Sequence, residues 1–231
     1  MIQIDFETLA KQTREFRANH KVLTEKEYSL PYNKWYDFRI CLSHQKATRA
    51  DEVWFARQIG ASISGTGKKY YEKLRREVDL GDGYVGDTLI PAKNNYDLKV
   101  TYQETDKITE IGFQQYRPAD PIGFYVAFKG ISKNKNTIIV VPNEVAYKMK
   151  REKIEKTGRL GSAQGTGYYK DLTTEALLSA FEGAKDGSKG MVISFSVKEK
   201  SDKDNFELLM DEHQVKIDDV ADYINNYKHK A

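Results

Sequence analysis

The order of strand-like and helix-like runs between residues 68 and 156 limits what this chain can fold into more than any other feature. KKYYEKLRREVDL, 68 to 80, has helical period with Tyr70 or Tyr71, Leu74 and Val78 on one side, and the GDG at 81 to 83 ends it. YVGDTLI and NYDLKVTYQ then flank PAKN, which predicts a hairpin with about four loop residues. EIGFQQYRP, GFYVAFKGI and NTIIVV read as further strands, and PNEVAYKMKREKIEK reads as a helix opened by Pro142 and Asn143. Helix, hairpin, strands and helix in that order predict an α/β fold, a mixed central β-sheet flanked by helices.

The flanks add elements of the same kinds. Residues 5 to 28 carry helical spacing through Phe6, Leu9 and Phe16. SLPYNKWYDFRICLS, with Pro31 among aromatics, predicts a turn followed by an extended piece. TRADEVWFARQIG predicts a helix with Val53, Ala56 and Ile59 inward. Beyond residue 157, TTEALLSAFEGA predicts a short helix, GMVISFSVKEK a strand and DDVADYINNYKHK a closing amphipathic helix. A chain of 231 residues with 39% hydrophobic residues supports one domain with a real core. No repeat or low-complexity linker divides it.

One strand breaks the expected pattern. Asp97 and Lys99 sit two apart in NYDLKVTY, so alternation puts both on one face while Leu98 and Val100 take the other. Charges on a half-buried strand need a partner or a purpose. A hairpin there brings Asp87, nine intervening residues upstream, towards Asp97. Two carboxylates side by side repel unless a cation lies between them, and an all-oxygen donor set suits Mg²⁺. A neighbouring amine can orient a water and stabilise charge during attack on phosphorus.

Asp87, nine residues, then Asp97-Leu98-Lys99 resembles the PD-(D/E)XK nuclease signature, with Gly86 where the proline would stand. The resemblance covers mainly residues 68 to 103, with a general match of element order to about residue 156. It implies a restriction-endonuclease-like fold in which Asp87, Asp97 and the Leu98 carbonyl hold Mg²⁺ and Lys99 positions the attacking water. An acid from the preceding helix joins such sites; Glu72 is the expected one here, with Glu77 and Glu52 as alternatives. The implied activity is that of a type II restriction endonuclease, a homodimer cutting double-stranded DNA at a defined site. A junction resolvase or repair nuclease of the same fold, or a non-catalytic DNA-binding protein with a decayed nuclease fold, would share these features. On this reading residues 68–156 form the catalytic core, and 157–231 supply recognition and dimerisation elements.

A net charge of only +3 leaves DNA contacts to local clusters. Lys68 and Lys69 open one basic helix. Lys148, Lys150, Arg151, Lys153, Lys156 and Arg159 mark a second run, which predicts either phosphate contacts or a solvated helix face. Arg117, just past a strand with Gln114 and Gln115, is a further candidate. The glycine-rich GRLGSAQGTGY, 158 to 168, predicts a DNA-contacting loop through Arg159 and Gln164. One cysteine rules out a disulfide framework, and four scattered histidines have no zinc spacing. SGTGKK fails as a phosphate loop because the lysine is not preceded by a glycine at the required spacing and followed by Ser or Thr. The sequence has no apolar run long enough for a membrane span and no signal-peptide pattern at its start, which makes a cytoplasmic, non-membrane protein the expectation.

Overall fold

Alternation along β3, Asn95–Tyr102, divides the molecule into two cores, one on each face of a mixed sheet. The structure is a computed structural model that describes residues 6–63, 82–90, 92–103, 105, 107–116, 122–158, 173–183 and 191–229. In chain order its helices are α1 (Phe6–His20), α2 (Glu25–Tyr28), α3 (Tyr32–Arg39), α4 (His44–Gln58), α5 (Asn143–Thr157), α6 (Thr174–Gly183), α7 (Lys203–Glu212) and α8 (Val220–Asn226). The strands besides β3 are β1 (Ser62–Ile63), β2 (Asp82–Tyr84), β4 (Glu110–Tyr116), β5 (Phe124–Ser132), β6 (Lys135–Pro142), β7 (Met191–Ser196) and β8 (Gln214–Val215).

Among the described residues the central sheet runs β1-β2-β3-β5-β6-β8, and β4 pairs with β7 in a separate antiparallel ribbon. Among the described strand pairs, only β3–β5 is parallel. This is the expected mixed α/β architecture, a mixed sheet flanked by helices. Tyr96, Leu98, Phe124, Val126, Phe128, Ile138 and Val140 face α3, α4 and α8. Tyr125, Ala127, Ile139 and Val141 face the β4–β7 ribbon and α5, α6 and α7. The two inner strands, β5 and β6, are covered on both sides, which is why their sequences are nearly continuous apolar runs.

Two expectations are corrected. The segment after Pro31 is helix, not an extended piece. Pro31 (φ −64°, ψ 156°) ends the preceding chain and its carbonyl accepts from Lys34 and Trp35, so the ring starts the helix rather than breaking it. The fully buried Trp35 then stacks on Trp54 with ring centroids 5.6 Å apart and planes at 5°. Its indole N–H donates to the Asp51 carboxylate at 2.9 Å, which also takes Arg39 Nε at 2.8 Å. Burial pushes the Asp51 carboxyl up, against the opposing pull of Arg39.

The second correction concerns two members of the basic run on α5, whereas Lys148 and Lys156 are exposed as a solvated face requires. Lys150 is fully buried and Lys153 nearly so, which fits neither a solvated face nor phosphate contacts. Lys153 Nζ donates to Asp202 Oδ2 at 2.7 Å and to the Ser194 carbonyl at 2.5 Å. Arg151 is exposed but is taken by Glu155 and Glu182. Burial, with repulsion from Lys153 added, pulls the Lys150 ammonium down to about 7, although Asp202 opposes the shift. An unfolded lysine titrates near 10.5, so between these values the unfolded chain binds more protons and stability rises with pH. The penalty is full below about pH 7 and is relieved as the pH climbs. Thermal melts from pH 6 to 9 are therefore expected to show a rising melting temperature that Lys150→Met flattens, with the variant the more stable at pH 6. Parallel curves for the two proteins would remove Lys150 as the cause.

Candidate active site

Asn94 and Asn95 build the end of the sheet at which the D-x-K strand begins. Asn94 Nδ2 donates to the carbonyls of Val85 and Thr88, at 2.6 and 2.8 Å, while its Oδ1 accepts from the Ile90 amide at 2.8 Å. One buried asparagine thus satisfies three backbone groups of the connection between β2 and β3. Gly86 there adopts φ +96°, a conformation that only glycine reaches without strain. Asn95 Oδ1 accepts from the Gly123 amide at 2.7 Å and ties the start of β3 to that of β5. Gly123 is needed at this junction, since a Cβ there would lie 2.7 Å from the Lys93 carbonyl.

The β2–β3 connection is therefore ten residues, not four. YVGDTLI is mostly connection, because strand pairing ends at Tyr84 opposite Asn95. This changes which acid faces Asp97. In the antiparallel register Asp97 lies directly opposite Asp82, whereas Asp87 stands exposed in the connection beyond the last paired residues. Asp82 belongs to the GDG expected from the sequence only to stop a helix. The turn chemistry of Asn94 is the signal that points to the longer connection.

Asp97 and Lys99 do share a face. Lys99 Nζ lies 2.8 Å from Asp97 Oδ1, and the two side chains are only 18% and 11% exposed. In the parallel ladder they stand beside Ala127 and Tyr125, on the side of the sheet covered by the β4–β7 ribbon. Leu98 turns into the opposite core. Glu52 lies on α4, which packs on that opposite core as well, away from the face of Asp97 and Lys99. Glu72 and Glu77 lie outside the described residues, as do Lys68, Lys69, Arg117, Arg159 and Gln164. Among the described residues no three His, Cys, Asp or Glu side chains converge as a metal-binding group. The described chain supplies one nearly buried carboxylate, one amine beside it, and a second acid at the facing register position.

The Asp97 carboxylate offers oxygen donors of the kind that suit a hard cation. The pairing with Lys99 serves two ends. It neutralises a buried carboxylate, and it fixes an ammonium beside that carboxylate. No protein-family model, curated protein or solved structure matches the chain. No described helix is long and apolar enough to cross a membrane.

Proposed function

We propose that this protein is a Mg²⁺-dependent endonuclease that hydrolyses phosphodiester bonds of duplex DNA at defined sites, acting as a homodimer. The observation that carries the reading is the Asp97–Lys99 pair, nearly buried on one sheet face at 2.8 Å with an acidic position directly opposite. Asp97 and Asp82 are the acids best placed by register to hold the metal. Asp87, from the exposed connection, and Glu72 remain candidates to join them. Bound Mg²⁺ supplies charge neutralisation at the scissile phosphate and acidifies a coordinated water. Lys99 holds the attacking water in line and stabilises the charge that develops on phosphorus. Arg117, Lys68, Lys69, Arg159 and Gln164 belong to this proposal as DNA contacts.

A second reading has its own support. Asp97 and Lys99 offset each other's charge at 2.8 Å, as they would in a non-catalytic DNA-binding protein built on the same sheet. The two readings separate on metal dependence. With duplex DNA, Mg²⁺ or Mn²⁺ is expected to support cutting into discrete fragments. Ca²⁺ is expected to support binding without cutting, since its longer and looser coordination misplaces the water. Cutting that persists in EDTA would sink the metal mechanism, and tight binding with no cutting in any metal would select the second reading.

A further inference from the structure

At the carboxyl ends of the parallel strands β3 and β5 a cleft of about 180 Å³ opens, lined by Thr101, Lys107, Thr109, Glu110, Lys129 and Lys198 among others. Crevices at the carboxyl ends of parallel strands are where open α/β sheets bind ligands, because the chain leaves the sheet there in different directions. Here β3 continues into the loop ahead of β4, and β5 turns back into β6.

The lining selects a chemical class. Among its described residues three lysines stand against one glutamate, with threonines between them. Lys129 is the inner cation: half-buried at the end of an otherwise apolar strand, and paired in register with Thr101. Its ammonium donates to the Glu110 carbonyl, which fixes the head group at the cleft and leaves further N–H donors. Burial pulls its pKa down, the behaviour of an ammonium short of counter-charge, although Glu110 opposes the shift. Lys107 and Lys198 are exposed at the rim. The volume is about that of six waters and well below the roughly 300 Å³ at which pockets for drug-sized molecules begin. A small polyoxyanion matches the size of the cleft and the charge of its described lining.

Position adds the source. Thr101 follows Lys99 on the same face of β3, two residues and about 7 Å further along the strand. That gap is short enough for one strand to touch both places.

We propose that this cleft is a phosphate-binding subsite anchored by Lys129, and that it seats a backbone phosphate of the nucleic-acid strand that passes over Asp97 and Lys99. The second half rests on the nuclease reading; the first does not.

The test is binding, in Ca²⁺, of two probes: inorganic phosphate by calorimetry, and a fluorescent duplex by anisotropy over a salt series. Lys129→Gln is expected to weaken both at least tenfold and to lower the slope of log affinity against log salt by about 0.9. Lys129→Arg, which keeps the charge, is expected to stay near wild type. If Lys129→Gln loses its fold by circular dichroism, the rim variant Lys107→Gln/Lys198→Gln makes the same test, with an expected slope change of about 1.8 for two lost contacts. Phosphate binding that is lost in the variants while duplex affinity holds keeps the subsite and rejects the strand. Unchanged binding of both probes overturns the proposal. Cleavage enters none of these readouts, so a failed nuclease reading shows separately, in the metal series.

Discussion

Asp97→Asn is expected to lower the rate of DNA cleavage by roughly a thousandfold or more while leaving the fold unchanged, the loss typical when a group holding a catalytic metal or stabilising developing charge is removed. Asp97 is nearly buried beside Lys99, so the isosteric amide is the fairest change: it removes the charge and keeps the volume. Lys99→Met should fall by a similar factor, because the Lys99 ammonium lies 2.8 Å from the Asp97 carboxylate. The informative comparison is between the upstream acids. The register puts Asp82, not Asp87, directly across from Asp97. Asp82→Asn should therefore cost cleavage about as much as Asp97→Asn, and Asp87→Asn, at an exposed position in the connection, much less. The measurement is the single-turnover cutting rate of a duplex substrate, with circular dichroism as the fold control. Near-normal cutting by Asp97→Asn ends the assignment of the site. A large loss in Asp87→Asn with none in Asp82→Asn would mean that the connection folds over the sheet when DNA binds.

The largest effect on stability is expected at Asp202. Its side chain is 1% exposed and accepts Lys153 Nζ at 2.7 Å and the Ser196 amide at 3.3 Å, with the buried Lys150 also within its field. Asp202→Ala leaves two buried lysines without this counter-charge. Removing one partner of a buried pair costs about 3–5 kcal/mol. At about 2–4 °C per kcal/mol for a chain of this size, the melting temperature should fall by roughly 6–20 °C. Replacing both partners by apolar residues, Lys153→Met with Asp202→Leu, should recover most of the loss, because the double variant has no stranded charge. Urea unfolding of the two single variants and the double variant measures this as a cycle. If the effects of the two single changes simply add in the double variant, the pair is not what holds α5 to the turn before α7.

Both expectations depend on contacts that a linear reading could not supply. The runs GFYVAFKGI and NTIIVV were legible as strands because period and β-branched content are local properties, and β5 and β6 fall on them. The same holds for α5, α6 and β7, and the alternation of Asp97 and Lys99 with Leu98 put the pair on one face without reference to anything distant. Lys129 was also in plain view, a lone cation in an apolar strand, yet only the cleft around it gives it a role.

Sequence by itself determined the mixed α/β class, most of the strand and helix identities, and the shared face of the D-x-K pair, since each follows from the pattern within a few residues. Tertiary structure decided the rest. Asp97 faces Asp82 because Asn94 stabilises a ten-residue connection through side-chain bonds, and the register of a hairpin is fixed by its turn. Trp35 makes α3 a helix by stacking on a ring nineteen residues away, and Lys153 points inward because Asp202, forty-nine residues on, waits there. A side chain's type can be read along the chain. Its partner is chosen by packing, and for buried charges the partner decides both the energy and the chemistry.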